Sequence, residues 1–472
     1  MHLLRTQPGG FVPDDGIAHL AQTPAELVIL CSGDSHLALL AEAARELPAD
    51  YPSLRLANPM QLQNHASVDL YVDEVLQHAK VILISVHGGV GYWRYGIEQL
   101  VALAERGTQL ILVPGDDRPD PELARLCSVP EEDAERCWQY LRQGGLDNAR
   151  QLFASLASRC LGRDYPWQAP STLPRVAVHH PHQRPAHLDH WRADWREGQP
   201  VAALLFYRTH LQAANTAFID AFCERLAAVG INPLPIAVAS LKEAECLAVV
   251  EDWLDAVDAE LIINTTGFAQ SNPDSPGQRP FRRDVPVLQA ICSLDNQPLW
   301  EENPQGLGPR DLAMHIALPE LDGRIITRPI SFKGLAWRSE RSQSDVVCYL
   351  PHLERMDFVA ELARRWLLLG RKANADKRVA LILANYPTRD GRIGNGVGLD
   401  TPAAALNILR ALEAEGYPWP VCRRAARHLS TVCWAASATT STASTHAPAP
   451  KAWRWTPTWP ASPACPRPTS GR

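Results

Sequence analysis

The chain has 472 residues, 46% hydrophobic and 21% charged, a composition that excludes a disordered or fibrous protein and calls for roughly two to four globular domains. A formal charge of −6 argues against nucleic acid or an anionic membrane as the main partner. No apolar run approaches the roughly 20 residues that cross a bilayer. The opening MHLLRTQPGGFVPDDG lacks the apolar stretch of a secretory signal, so the cytoplasm is the expected location.

The predicted elements begin with ELVILC as a strand and SHLALLAEAARELP as a helix. KVILISVHGG is the next strand, followed by the helix YGIEQLVALAERG and the strand QLILVPG. The apolar runs are short and nearly continuous, as in parallel strands covered on both faces. His87 falls at a strand's C-terminal end before two glycines, the edge where open α/β sheets bind ligands. A helical stretch over roughly 130–160 closes an N-terminal α/β domain, 1–165.

A connector, 166–198, carries VAVHHPHQRPAHLDHW. His180, His182, His187 and His190 are candidate metal ligands, because imidazole suits borderline divalent ions. Pro181 and Pro185 break any continuous helix there, and a polar linker with one packed histidine is the plainer reading. The stretch marks a domain boundary more securely than it marks a metal.

A second α/β domain, 199–373, opens with the strand VAALLFYR and a helix ending at Gly230, a C-cap position. INPLPIAVAS, the helix LKEAECLAVVEDWLDAV and the strand AELIINTTGF follow, then VPVLQAI, GRIITRPISF and a long closing helix. Strand ends supply Arg208 and His210, then Asn264, Thr265 and Thr266, then Arg328 and Lys333. Cations there suit a substrate bearing carboxylates, and the Asn/Thr group suits either a pocket or an ordinary turn.

A third domain starts at 374 with the strand KRVALILANYP and the helix TPAAALNILRALEAEG, and stops at 418. One βα element cannot bury its own faces, so this domain is expected to be truncated. The glycine loop between them lacks both phosphate fingerprints. No GxxxxGK[ST] occurs, and Leu399 stands where GxGxxG needs its last glycine. Asp400 or Thr401 is expected to cap the helix. Residues 419–472 contain no Asp or Glu yet hold stranded tryptophans and cysteines. That segment reads as a disordered or out-of-frame tail, or else as a basic tail for an anionic partner. The cysteines of 1–418 are scattered singly and read as reduced, buried thiols.

The segment ILANYPTRDGRIGNGVGLDTP (382–402), with NTTGF and RPISFK upstream, resembles the large subunit of cobaltochelatase, which is related to the H subunit of magnesium chelatase. The likeness covers about 1–418. It implies a tetrapyrrole-binding subunit that inserts Co²⁺, as substrate metal, into hydrogenobyrinic acid a,c-diamide in aerobic cobalamin synthesis. ATP and Mg²⁺ would be used by two partners, an AAA+ ATPase and an integrin-like subunit, which agrees with the missing Walker motif. Asn385, in ANYP, joins His87, Arg208, His210, Asn264, Thr265, Thr266, Arg328 and Lys333 as candidate pocket lining. The family's large subunits are far longer, so the chain by itself is expected to be inactive. The alternatives are a magnesium subunit acting on protoporphyrin and a non-catalytic small-molecule binding module. The expected fold is two successive Rossmann-like parallel-sheet α/β domains, the start of a third, and a disordered tail.

Overall fold

The computed structural model describes residues 17–183, 185–271, 280–383 and 398–417. The chain divides into two compact units, Met1–Gly370 and Arg371–Arg472.

The first unit holds two sheets. Strands β1 (Leu27–Cys31), β2 (Leu54–Ala57), β3 (Val81–Val86) and β4 (Gln109–Pro114) form an all-parallel sheet in the order β2-β1-β3-β4. Alternate residues serve opposite faces. Leu27, Ile29, Leu83 and Ile111 pack under α1 (Asp34–Ala44) and two later helices. Val28, Leu30, Ile82 and Leu110 pack under α2 (His65–Glu74) and α3 (Arg94–Glu105). Burial on both faces is why these strands read as continuous apolar runs. β2 and α2 carry weaker patterns, and neither is among the elements expected from the sequence.

A short α4 (Pro121–Arg125) precedes the expected helical stretch, which is two helices, α5 (Glu131–Gln143) and α6 (Leu146–Arg159). Gly144, with φ of 65°, breaks it, and a Cβ there would stand 2.7 Å from the Gln212 Cβ. Glycine is needed for both the turn and the close approach.

The second sheet has seven strands in the order β11-β10-β9-β8-β6-β7-β5. They are β5 (Val176–Val178), β6 (Val201–Tyr207), β7 (Asn232–Val238), β8 (Leu261–Asn264), β9 (Val287–Ser293), β10 (Ile325–Ser339) and β11 (Ser344–Pro351). Helices α7 (Leu188–Asp194), α8 (Arg208–Gln212), α9 (Ala217–Ala228), α10 (Ala244–Ala256) and α11 (Gln297–Glu302) connect them. Then α12 (Pro309–Asp311), a π-helical turn at Leu312–Ala317 and α13 (Leu318–Glu320) lead into β10, and α14 (Leu353–Arg371) follows β11. The central strands are parallel, but both edges are antiparallel, so this sheet is mixed rather than purely parallel.

Two features depart from the sequence expectation. The connector supplies β5 and α7, so part of it belongs to the sheet. Pro233 and Pro235 are tolerated in β7 because residues 232, 234, 236 and 238 form the ladder to β6, while the proline carbonyls face the short β5 edge, where the Pro235 oxygen accepts from the His179 N–H.

The β10–β11 hairpin, which no turn motif in the sequence announces, runs back to the first sheet. Trp337, Val346 and Cys348 pack in the core beside α1. At its tip the Ser342 carbonyl accepts from the Leu56 N–H at 3.3 Å, and Arg341 donates to the carbonyls of Leu47 and Pro48. This covers the edge strand β2. Lower down, Lys333 Nζ meets Asp34 Oδ2 at 3.1 Å, with side chains 15% and 8% exposed.

In the second unit α15 (Thr401–Ala414) forms as expected, and Asp400 caps it by accepting from the Ala403 N–H. The expected strand over KRVALILANYP is absent from its described part, 377–383, since a strand needs a neighbouring ladder. Its remainder, residue 418 and the tail 419–472 lie outside the described residues.

Replacing Lys333 with Met is expected to leave Asp34 buried and unpaired, lowering unfolding free energy by about 3 kcal/mol in urea titration. The Asp34→Leu/Lys333→Met double variant should recover most of that loss. A double variant as unstable as the single one would show that the pairing of charges is not what holds the two sheets.

Candidate functional site

Most of the polar groups of interest lie at the C-terminal ends of the parallel strands, where backbone groups open to side chains and ligands. Arg328 and Lys333, expected at a strand end, instead lie inside β10, which runs on to Ser339 to form the hairpin. In the second sheet β6 sits where the connections diverge, to β7 on one side and β8 on the other.

The NTTGF segment lies at that edge as a closed polar network. Asn264 donates to Gln289 Oε1 at 2.8 Å and to the Thr266 carbonyl at 2.9 Å, and the Thr266 hydroxyl donates back to Asn264 Oδ1 at 2.9 Å. Thr265 donates to the Leu205 carbonyl. Arg324 completes the network through Gln289 Oε1 and Asp322. Asn264, Thr265 and Thr266 are all buried. In this arrangement they hold the loop after β8, and their polar capacity is largely used within the protein.

Beside that loop stand two groups that carry no sequence motif. Asp311 is buried, accepts from the Ser293 hydroxyl at 2.6 Å, and has its carboxyl pushed up to about 6 by burial. His315, on the π-helical turn, is pushed down to about 4 by burial. Its Nε2 is 3.8 Å from Asp311 Oδ1 and its Nδ1 is buried without a hydrogen-bond partner. A neutral imidazole at that distance makes no ion pair. The Phe268 N–H donates to the Met314 carbonyl, holding Phe268 at a φ of 66°.

Toward the first sheet, His210 lies between the rings of Phe218 and Tyr349, at 4.9 and 5.2 Å. Burial, then the charge of Lys333, lowers its pKa to about 4. Lys333 and His210 are thus brought together, with Asp34 reaching in from α1. His87 is elsewhere, at the end of β3, with Nδ1 2.7 Å from the Ser32 hydroxyl. Gly115 makes room for that ring, since a Cβ would stand 2.6 Å from Nδ1.

Arg208 donates to the Leu173 carbonyl. Arg328 lies over the Phe358 ring at 3.5 Å and meets Glu354 at 3.5 Å. Asn385 lies outside the described residues. The eight predicted residues that are described therefore form no single pocket: His210 and Lys333 share one place, Asn264–Thr266 a second, and His87, Arg208 and Arg328 stand apart.

The histidine stretch is bound up in local structure. His180 Nε2 contacts Asp194 Oδ2 at 3.0 Å while its Nδ1 accepts from the His182 N–H at 3.1 Å. His187 and His190 cap α7 reciprocally, with His190 Nδ1 accepting from the His187 N–H at 3.1 Å. Each of these three rings spends a lone pair on backbone, and His182 is exposed. Among the described residues no group of three or more His, Cys, Asp or Glu is set to hold a metal ion. None of the eight described cysteines is disulfide-bonded, and Cys31 and Cys292 are pushed up to about 12 by burial. No described helix is long and apolar enough to cross a membrane.

The CobN/Magnesium Chelatase family profile matches residues 138–437. The aerobic cobaltochelatase subunit CobN of Pseudomonas aeruginosa is 81% identical over 418 residues, spanning 89% of this chain. The chain belongs to the CobN/magnesium chelatase family. The CobN subunit from a Sinorhizobium species is 37% identical over 428 residues, 88% of the chain. The catalytic subunit of cobaltochelatase from Mycobacterium tuberculosis superposes with a TM-score of 0.60 at 28% identity, over 88% of the chain. The chain spans only about a third of these family members: 34% of the first, 33% of the second and 32% of the solved structure.

Histidine and carboxylate burial gives this family member a defined response to acid. His210, ordinarily near 6.5, is neutral in the fold, so its share of stability is complete above pH 6.5 and is lost as the pH falls toward 4. Asp311 runs the other way: its share is present at low pH and lost as the pH rises through about 6. His210→Phe is expected to flatten the acid limb by about 3 kcal/mol between pH 6.5 and 4. Asp311→Asn should steepen it, and denaturant titrations at stepped pH measure both.

Proposed function

We propose that this chain is the N-terminal part of the tetrapyrrole-binding large subunit of an ATP-dependent cobaltochelatase, acting in the cytoplasm on hydrogenobyrinic acid a,c-diamide in aerobic cobalamin synthesis. The observation that carries this reading is the 81% identity to the Pseudomonas aeruginosa subunit, sustained over 418 residues.

Metal insertion asks for a surface that holds the macrocycle, bases that take its two pyrrole protons, and ligands that deliver the cation. In this reading Co²⁺ is a substrate. ATP and Mg²⁺ are bound by an AAA+ ATPase working with an integrin-like subunit, and hydrolysis drives a conformational cycle. Of the candidate lining, Arg328 on its aromatic shelf is suited to a macrocycle carboxylate. The internal hydrogen bonds of Asn264–Thr266 suit a positioning role. The hydrogen bonding at His180, His187 and His190 gives metal delivery there no support. At a third of the relatives' length, the chain alone is expected to bind without completing insertion.

Fluorescence and absorbance titration of the purified chain tests this. Hydrogenobyrinic acid a,c-diamide is expected to bind at least about tenfold more tightly than protoporphyrin, a difference of about 1.4 kcal/mol. No cobalt corrinoid should form without the longer subunit and both partners. Preference for protoporphyrin would overturn the cobalt assignment.

A further inference from the structure

Between the first sheet and the β10–β11 hairpin lies a cavity of about 360 Å³ that the chelatase reading does not use. It sits beyond the C-terminal ends of β1 and β2, and β1 is the strand from which the first sheet's connections diverge. Ligands in open α/β sheets bind at such edges. The volume falls within the usual small-molecule range.

The cavity has built walls. Leu20, Leu37, Leu56, Leu335 and Val347 line it, and they come from four separate segments of the chain. Those segments are tied together by two side chains, the half-buried Gln22 of the wall itself and the buried Arg55, which is not part of the lining. Gln22 donates to the carbonyls of Leu56 and Gln343 at 3.0 and 2.9 Å and accepts from the Tyr71 hydroxyl at 2.6 Å. Arg55, itself buried, donates to the carbonyls of Thr23 and Arg341. The strap of residues 19–22, the sheet edge and the hairpin tip are therefore joined by the protein's own hydrogen bonds, which preorganises the space between them.

Two polar residues with buried side chains face each other at one end, Asp34 and Asn58. Asp34 Oδ1 accepts from Asn58 Nδ2 at 3.2 Å and Oδ2 accepts from Lys333 at 3.1 Å. Each carboxylate oxygen keeps further acceptor capacity. Asn58 Oδ1 accepts from the Met60 N–H, so the side chain is fixed, and Nδ2 retains a second hydrogen. The cavity thus offers an acceptor and a donor side by side at one end, while the rest of its wall mixes leucine and valine side chains with His19, Gln61 and Arg338, whose charge is met by Asp345 at 2.8 Å.

That pair selects by charge. A ligand carboxylate would meet Asp34. A ligand ammonium would compete with Lys333, which already neutralises Asp34. A neutral carboxamide offers an N–H to Asp34 and a carbonyl to Asn58, and it brings no charge to desolvate. We propose that this cavity is a binding site for a small carboxamide with a branched apolar body. The site stands independently of the tetrapyrrole reading, since neither the macrocycle nor the partner subunits enter the argument.

Ligand-observed saturation-transfer NMR on the whole chain tests it with three probes of the same skeleton: isovaleramide, isovalerate and isoamylamine. Isovaleramide is expected to give saturable transfer, and the two charged probes to bind at least about tenfold more weakly, the equivalent of one lost hydrogen bond. Leu335→Trp places a larger side chain on the exposed hairpin wall, outside the main core, and should abolish the amide signal while leaving the fold intact by circular dichroism. Asn58→Asp keeps an acceptor for the Met60 N–H but removes the donor, and should weaken the amide about tenfold. Absent transfer, equal binding of isovalerate, or amide binding unchanged in Leu335→Trp would each overturn the proposal.

Discussion

The long hairpin of β10 and β11 is the constraint on which Met1–Gly370 depends. β10 shifts register against β9 on either side of Pro329 and against β11 between Leu335 and Trp337, and the hairpin ends against the edge of the first sheet. The Lys333–Asp34 pair sits on its path, where a buried cation and a buried anion each require the other. Each sheet has its own core, and the crossing joins the contact of α8 with the turn between α5 and α6, where Gln212 donates to the carbonyls of Arg142 and Gln143, in orienting the strand ends of one toward those of the other. The placement of His210, Tyr349 and Asp34 around Lys333 follows from it.

The second sheet concentrates unusual chemistry at one corner. A residue with left-handed backbone, Phe268, a π-helical turn, and the buried Asp311 and His315 all meet beside the end of β8. Their burial shifts act in opposite directions, which keeps the carboxyl easily protonated and the imidazole neutral. The NTTGF segment supports that corner through a satisfied polar network, so its Asn and Thr residues act through the geometry they impose. An apolar replacement of any one would strand a buried partner.

Much of the architecture is legible in the amino-acid order alone. The strands 27–31, 81–86 and 109–114 and, in the second sheet, 201–207, 261–264 and 287–293 announce themselves because burial on both faces writes continuous apolar runs. Gly230, at φ of 80°, follows the helix that its position marks as ending there, and Asp400 caps the helix that it precedes in sequence. The elements that escape such reading are short or are defined by partners. β2 is four residues, β5 is three, and β11 shows its meaning only when β10 lies beside it. The histidine stretch misleads for a related reason: spacing in sequence shows which imidazoles are close, while the lone pairs are already spent on the backbone of α7.

Short continuous apolar runs between helical stretches, strand-end glycines and the ANYP…GLDTP segment were enough to determine the α/β class and the family, because apolar patterning and local motifs are properties of neighbouring residues. Which side chains share a site was decided only by tertiary structure. Asp34 and Lys333 are separated by most of the described chain, and Asp311 and His315 carry no motif. The ion pair of Asp34 and Lys333 comes from packing, and the protonation states of Asp311 and His315 from burial, and both exist only once the sheets have packed.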